Sequence, residues 1–237
     1  MPVQPIEEPG AAQAGARPQL SPSSVAFLYA HRFAPAAKEG KIGTRSLANG
    51  TVVETVALSR MLVIVALWSL QEAGAVVLEP FKEKRLKFIP WNGVRVRLIE
   101  PIEIGGLEGR LLGEVARDKK ARDPGMDISL LMNLLFRDGK PDAESLVRKY
   151  VVDDVAERGY AERVSTDVGA VKHAITKQSR SRLEGRDEQI GSVRQLAESV
   201  IERWNGFCGA QPELKTELIA AVRDAFNQLK RNDRDDS

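Results

Sequence analysis

Between Lys82 and Arg97 the chain reads "KEKRLKFIPWNGVRVR", which gathers Lys82, Lys84, Arg85, Lys87, Arg95 and Arg97 around a single acid, Glu83. Cations interleaved with apolar residues suit contact with anions. At a lipid surface each such cation contributes about 1 kcal/mol, and nucleic-acid phosphates would be held by the same charges. The plain alternative is a solvated β-edge kept from aggregating by its charges, although an edge alone needs fewer cations. A second basic run, Lys172, His173, Lys177, Arg180, Arg182 and Arg186, reads as a solvated helix face.

Other chemistry is thinly supplied. His31, His173 and Cys208 are the residues a nucleophile story would need, yet no glycine-rich elbow, adjacent base or known catalytic motif accompanies them. One cysteine excludes an internal disulfide and a multi-cysteine zinc site. Neither a phosphate-cradling glycine loop nor a metal-ligand spacing is present. The expectation is a protein that is not an enzyme and takes no cofactor or metal. A formal charge of +2 is too small for a general nucleic-acid binder, so any anion binding must come from a local patch.

The elements that must position the cations are mainly helical. Residues 1–20, rich in Pro, Gly and Ala, cannot bury enough surface to offset their ordering entropy and read as a disordered tail. "SPSS" at 21–24 opens a helix, and residues 34–50 form a loop or short ribbon. Thr51 to Ala73 is helical and apolar almost all round in its second half; Gly74 stops it. "AVVLE" then reads as a short strand. Asn92-Gly93 suits both positive-φ positions of a two-residue type I′ turn, which predicts a hairpin centred there. That turn sets Trp91 opposite Val94, Ile89 opposite Val96 and Phe88 opposite Arg97. The core face is then Ile89, Trp91, Val94, Val96 and Leu98, with Arg95 and Arg97 on the other side.

After Gly105-Gly106 come helices at 107–117, 128–136 and 142–158, the last capped by Asp142 and ended by Gly159. "YAERV" reads as a strand, so the order apolar helix, glycine, strand occurs twice. Helices are expected over 168–183, 190–204 and 213–229, with Trp204 and Phe207 capping a helix-pair core. In the last helix Leu214, Leu218, Ile219, Val222, Ala225, Phe226 and Leu229 form one stripe. The predicted fold class is mainly α: two winged-helix-like units (about 21–104 and 105–165), a small β-hairpin, and a closing helical pair within 166–229. Residues 21–229 form one domain, and 230–237 fray. Val52 to Leu70 has the length of a membrane span, but Glu54 and Arg60 interrupt it, so no transmembrane segment is expected.

This order of elements resembles the Golgi phosphoprotein 3-like family, mostly helical adaptors of Golgi membranes with bacterial relatives. The resemblance rests on "MLVIVALWSLQEAGAVVLE" before a basic hairpin, on "LVRKYVVDDVAERGYAERV", and on "LAESVIERWNGFCGAQPELKTELIAAVRDAFNQL". It covers roughly Ser21 to Leu229 as a pattern of elements. It implies a cytoplasmic adaptor, peripheral on the membrane, that binds a phosphoinositide-like headgroup near Arg60 and Arg148 while the hairpin supplies electrostatic contact. Arg148 falls where the family has an arginine and Arg60 stands in for another. Ser145 and the stretch "TRSLANGTV" depart from the family's second arginine and its tryptophan. The runner-up is a winged-helix DNA-binding regulator. For that, the helix before the hairpin offers Gln71 and almost nothing else polar, where base reading needs Arg, Lys, Asn or Gln. A third reading is a protein-interaction module docking through the stripe of the last helix.

Overall fold

The computed structural model describes residues 20–40, 42–85, 89–137, 142–165, 181–185 and 187–235. They are mainly helical. Helix α1 is Pro22–Leu28, α2 Thr55–Glu72, α3 Gly106–Arg117, α4 Ile128–Leu135, α5 Ala143–Glu157, α6 Asp187–Ser192, α7 Arg194–Ala210 and α8 Pro212–Asp235. Three small antiparallel sheets accompany them: β1 (Gly43–Arg45) with β2 (Val52–Glu54), β3 (Val76–Arg85) with β4 (Ile89–Leu98) and β5 (Met126–Asp127), and β6 (Ala161–Ser165) with β7 (Ser181–Gly185).

Helix α2 sits at the centre. Leu58 and the run Leu62 to Trp68 are buried on every side, because α1, α3, α5, α8 and β3 all pack around it. Among the described residues it is the one helix long and apolar enough to cross a membrane, and 67% of that window is buried within the fold. Trp68 meets Trp204 edge-on at 5.4 Å and lies beside Phe207, so α7 closes over the end of α2. The helix begins at Thr55, four residues later than the sequence suggests, since Val52–Glu54 pairs with β1 instead. Gly74 and Gly159 take φ of 73° and 77°, the left-handed stop expected of each.

The ribbon departs from expectation in register. Asn92 and Gly93 stand inside β4, opposite Lys82 and Phe81, and the strands run on as far as the Arg85–Ile89 pair. The short strand expected at "AVVLE" therefore continues through Arg85 as one ten-residue strand. The expected partner of Arg97, Phe88, lies outside the described residues, and Val77 holds that place. Trp91 and Ile89 now carry the strand parity of Arg95 and Arg97, not that of Val94.

The physical reason is tertiary. A two-residue turn at Asn92-Gly93 would leave Val76 and Leu78 without the cross-strand partners Leu98 and Val96, and these four, with Val94, are buried on one face. Gly93 has a different duty: a Cβ there would stand 2.9 Å from ring atoms of Phe81, which lies across it. The second correction concerns 168–183. Its final residues belong to β7, paired with β6, while 166–180 lie outside the described residues. A lone strand at "YAERV" would leave its backbone groups unpaired, and β7 supplies the partner.

Candidate anion-binding site

Arg60 and Arg148 come from α2 and α5, which pack side by side. Ser59, buried between them, links the two. Arg148 Nη1 donates to Ser59 Oγ at 2.9 Å, while Ser59 Oγ lies 3.0 Å from the carbonyl of Thr55 and 3.1 Å from that of Glu144. Arg148 Nη2 donates to Ser145 Oγ at 3.0 Å, and Ser145 Oγ donates in turn to Asp142 Oδ2 at 3.1 Å. Arg60 Nη2 reaches across to Asn227 Oδ1 on α8 at 3.2 Å, and its buried Nε has no hydrogen-bond partner. Arg148 is thus tied to α2 through Ser59, the residue before Arg60, a serine neither pattern nor spacing marks.

One turn of α8 completes the cluster. Lys230 Nζ lies 2.6 Å from Glu144 Oε1, yet neither oxygen of the buried Glu144 carboxyl receives an aligned hydrogen bond. Burial pushes the Glu144 carboxyl up, and the neighbouring Asp142 adds to this against the pull of Lys230. Asp142 is held down, first by its hydrogen bond with the Glu144 side chain. Of the two, Glu144 therefore takes up a proton before Asp142 does. Burial also lowers Arg148, against the opposing charges of Asp142 and Glu144.

The ribbon cations divide into two groups. Arg97 donates through Nε and Nη2 to Glu79 Oε1 at 2.9 and 2.8 Å. Arg95 pairs with Glu83 and lies 4.5 Å over the Phe81 ring. Both are spent on their own ribbon, as half-exposed ion pairs worth little individually. Lys82 is exposed, and Lys84 and Arg85 follow it along β3; Lys87 lies outside the described residues. The end of α8 ties the ribbon to the arginines: Asn227 and Arg231 line a 390 Å³ cavity with Asn92 and Gly93.

The DNA-reading candidate fares differently. The Gln71 side chain accepts from the backbone N–H of Leu78 at 2.9 Å, so it serves the sheet. On α5, Lys149 pairs with Asp153 at 2.6 Å and Arg158 with Asp154 at 2.7 Å. Of the residues offered for nucleophilic work, Cys208 is half-buried with its thiol pushed up by burial, and His31 bonds Ser46 Oγ through Nδ1 at 2.9 Å. His173 lies outside the described residues, among which no three His, Cys, Asp or Glu side chains group to hold a metal.

Sequence reasoning missed a second polar nest. Glu108 on α3, 0% exposed, accepts from Ser23 N at 2.8 Å and Ser23 Oγ at 2.7 Å, and Ser24 Oγ donates to Asp154 Oδ2 at 2.5 Å. A 460 Å³ cavity opens beside it, lined by Ser21, Ser69, Gly105, Arg158 and Arg203 among others. The serines of "SPSS" were visible; the carboxylates that answer them from 85 and 130 residues away were not. Comparison of the chain with family models, with curated proteins and with solved structures returns no match.

Proposed function

We propose that this chain is a non-enzymatic adaptor that associates peripherally with an anionic membrane surface on its cytoplasmic side. The α2–β3–β4 and α5–β6–β7 successions serve as two winged-helix-like units, in keeping with the resemblance to the Golgi phosphoprotein 3-like family. The observation that supports the reading best is the continuity of one surface. Asn227 joins Arg60 to the ribbon's Asn92 and Gly93, and Lys230 reaches the α5 end that carries Arg148. A phosphorylated headgroup would lie against Arg60, Arg148 and Lys230 while Lys82, Lys84, Arg85 and Lys87 rest on neighbouring lipid. Arg95 and Arg97, already matched by Glu83 and Glu79, keep the ribbon in shape. A regulator that reads DNA would need a polar recognition helix, and Gln71 is engaged with Leu78.

The test is binding of the purified protein to neutral vesicles, anionic vesicles and random duplex DNA, at low and moderate salt. Anionic vesicles alone should retain it. Lys82→Glu, Lys84→Glu and Arg85→Glu together remove three contacts of about 1 kcal/mol each, so affinity should fall about a hundredfold with the fold intact. Unchanged vesicle binding by the triple variant removes the ribbon from the contact. Tight binding to DNA in preference to vesicles makes the protein a regulator.

A further inference from the structure

Glu144 is an awkward residue for a structural role. Its carboxyl is 2% exposed, and neither oxygen has an aligned donor, although buried acceptors are almost always satisfied. On α2, Arg60, which bonds Asn227 one turn before Lys230, has a buried Nε donor with no acceptor. Lys230, 44% exposed, directs its ammonium inward to Glu144 Oε1 at 2.6 Å. The charged groups facing Glu144 are Asp142 at the start of its own helix, Arg148 one turn along it, and Lys230 on α8, where Asn227 one turn earlier receives Arg60 of α2. One unmet guanidinium donor and a buried carboxyl met by a half-exposed ammonium describe a cationic site partly filled from within.

We infer that Glu144 is an internal competitor for the cations of the Arg60–Arg148–Lys230 cluster, masking them from external phosphate oxyanions while it is ionised and releasing Lys230 to such a ligand when it is protonated. This rests on the proposed anion-contacting function and adds the residue that sets its affinity. The ligand class is a phosphate-bearing anion, because Arg60 Nε lacks an acceptor oxygen and two guanidinium groups with one ammonium suit several. Burial, then Asp142, raises the Glu144 carboxyl above its ordinary range, so its proton returns early as the medium acidifies, while Asp142, held low, stays ionised. Affinity for anions should therefore rise as pH falls from neutral. The gain is about fivefold, the worth of one cation freed at an anionic surface.

The experiment compares wild type, Glu144→Gln and Lys230→Gln in two arms, phosphatidylserine-doped vesicles and inorganic phosphate, each at neutral and mildly acidic pH. Circular dichroism checks the folds. Glu144→Gln should bind about fivefold tighter than wild type at neutral pH and lose most of the acid enhancement. Tightening in the vesicle arm alone assigns the site to lipid headgroups; tightening in both assigns it to any phosphate oxyanion. If Glu144→Gln fails to fold, Lys230→Gln decides, since it should lose the acid enhancement as well as affinity. Wild type that binds while Glu144→Gln is no tighter and keeps the full pH slope overturns the inference alone. Wild type that binds in neither arm overturns the anion-contacting function together with it.

Discussion

Replacing Glu108 with Ala tests whether a buried carboxyl holds α1 in the fold. Glu108 receives the backbone N–H of Ser23 at 2.8 Å and the Ser23 hydroxyl at 2.7 Å, with Ser69 Oγ more distant at 3.4 Å. In the Ala variant the hydroxyl can turn to Ser21 Oγ, 3.2 Å away, but the Ser23 N–H, which donates to Glu108 Oε1, loses its acceptor. One stranded buried donor costs about 1–3 kcal/mol. The truncated side chain leaves a void at a site with no exposure, which costs about 2 kcal/mol more, and relief from burying a carboxyl returns part of this. The expected loss is about 2–4 kcal/mol.

Glu108→Gln keeps the acceptor for Ser23 N and offers a donor to Ser23 Oγ, so it should stay within about 1 kcal/mol of wild type. Urea unfolding with matched slopes measures both. An Ala variant as stable as wild type would refute the idea that this contact anchors α1. A Gln variant as damaged as Ala would show that the charge, not the hydrogen bonds, matters. The pH dependence has a definite sign. Burial raises the Glu108 carboxyl, so the folded state retains a proton that the unfolded chain releases near the ordinary value of 4.5. Its stabilising contribution is present below that value and is lost as pH rises through the raised folded value. Gln at 108 should flatten this slope in part, because Glu144 is raised and acts in the same direction, while Asp142, held low, acts in the opposite one.

Gln71→Leu should lower stability by about 1 kcal/mol by removing the acceptor of the Leu78 N–H, and should raise self-association in sedimentation as that edge is uncapped. An unaltered urea midpoint and sedimentation profile would mean the edge needs no cap. Gly93→Ala forces a methyl to within 2.9 Å of the Phe81 ring and should cost about 1–3 kcal/mol. In a Phe81→Ala background the same change should cost much less; a double-mutant cycle with no coupling would refute the role assigned to that ring.

The parts of the fold that were legible in the sequence are those decided locally. Ser21 and Asp142 cap their helices, Gly74 and Gly159 end theirs, and an apolar run reads as a core helix. Asn92-Gly93 misled because the turn preference of two residues is small beside a ladder of ten pairs that buries Val76, Leu78, Val94, Val96 and Leu98 on one face. The end of the 168–183 segment misled for a similar reason: the pull of the β6 edge has no signature in the residues of β7 itself. At the candidate site, the ribbon cations and the arginines were visible as types. Glu144, Asn227, Lys230 and Glu108 were not, since each acquires its partner only through the packing of distant helices.

The ribbon's pairing also says which of its groups remain for function. Leu78 directs its N–H away from β4, toward Gln71, so the even-numbered residues of β3 present their backbone to the open edge. At that edge Gln71 caps Leu78, Pro80 has no N–H to offer, and the exposed Lys82 sets charge beside the remainder, the usual defences against strand addition. A partner strand is therefore poorly served by β3. Nor is the base of the ribbon free, because Arg95 and Arg97 are matched by Glu83 and Glu79 while the opposite face is buried. What remains is the stretch from Lys82 onward, the part of the ribbon farthest along from the buried pairs. Exposed charge such as that of Lys82 on a closed-edged ribbon is suited to a surface that asks for no backbone pairing and no fixed register. A lipid headgroup layer is such a surface, whereas a β-strand partner is not.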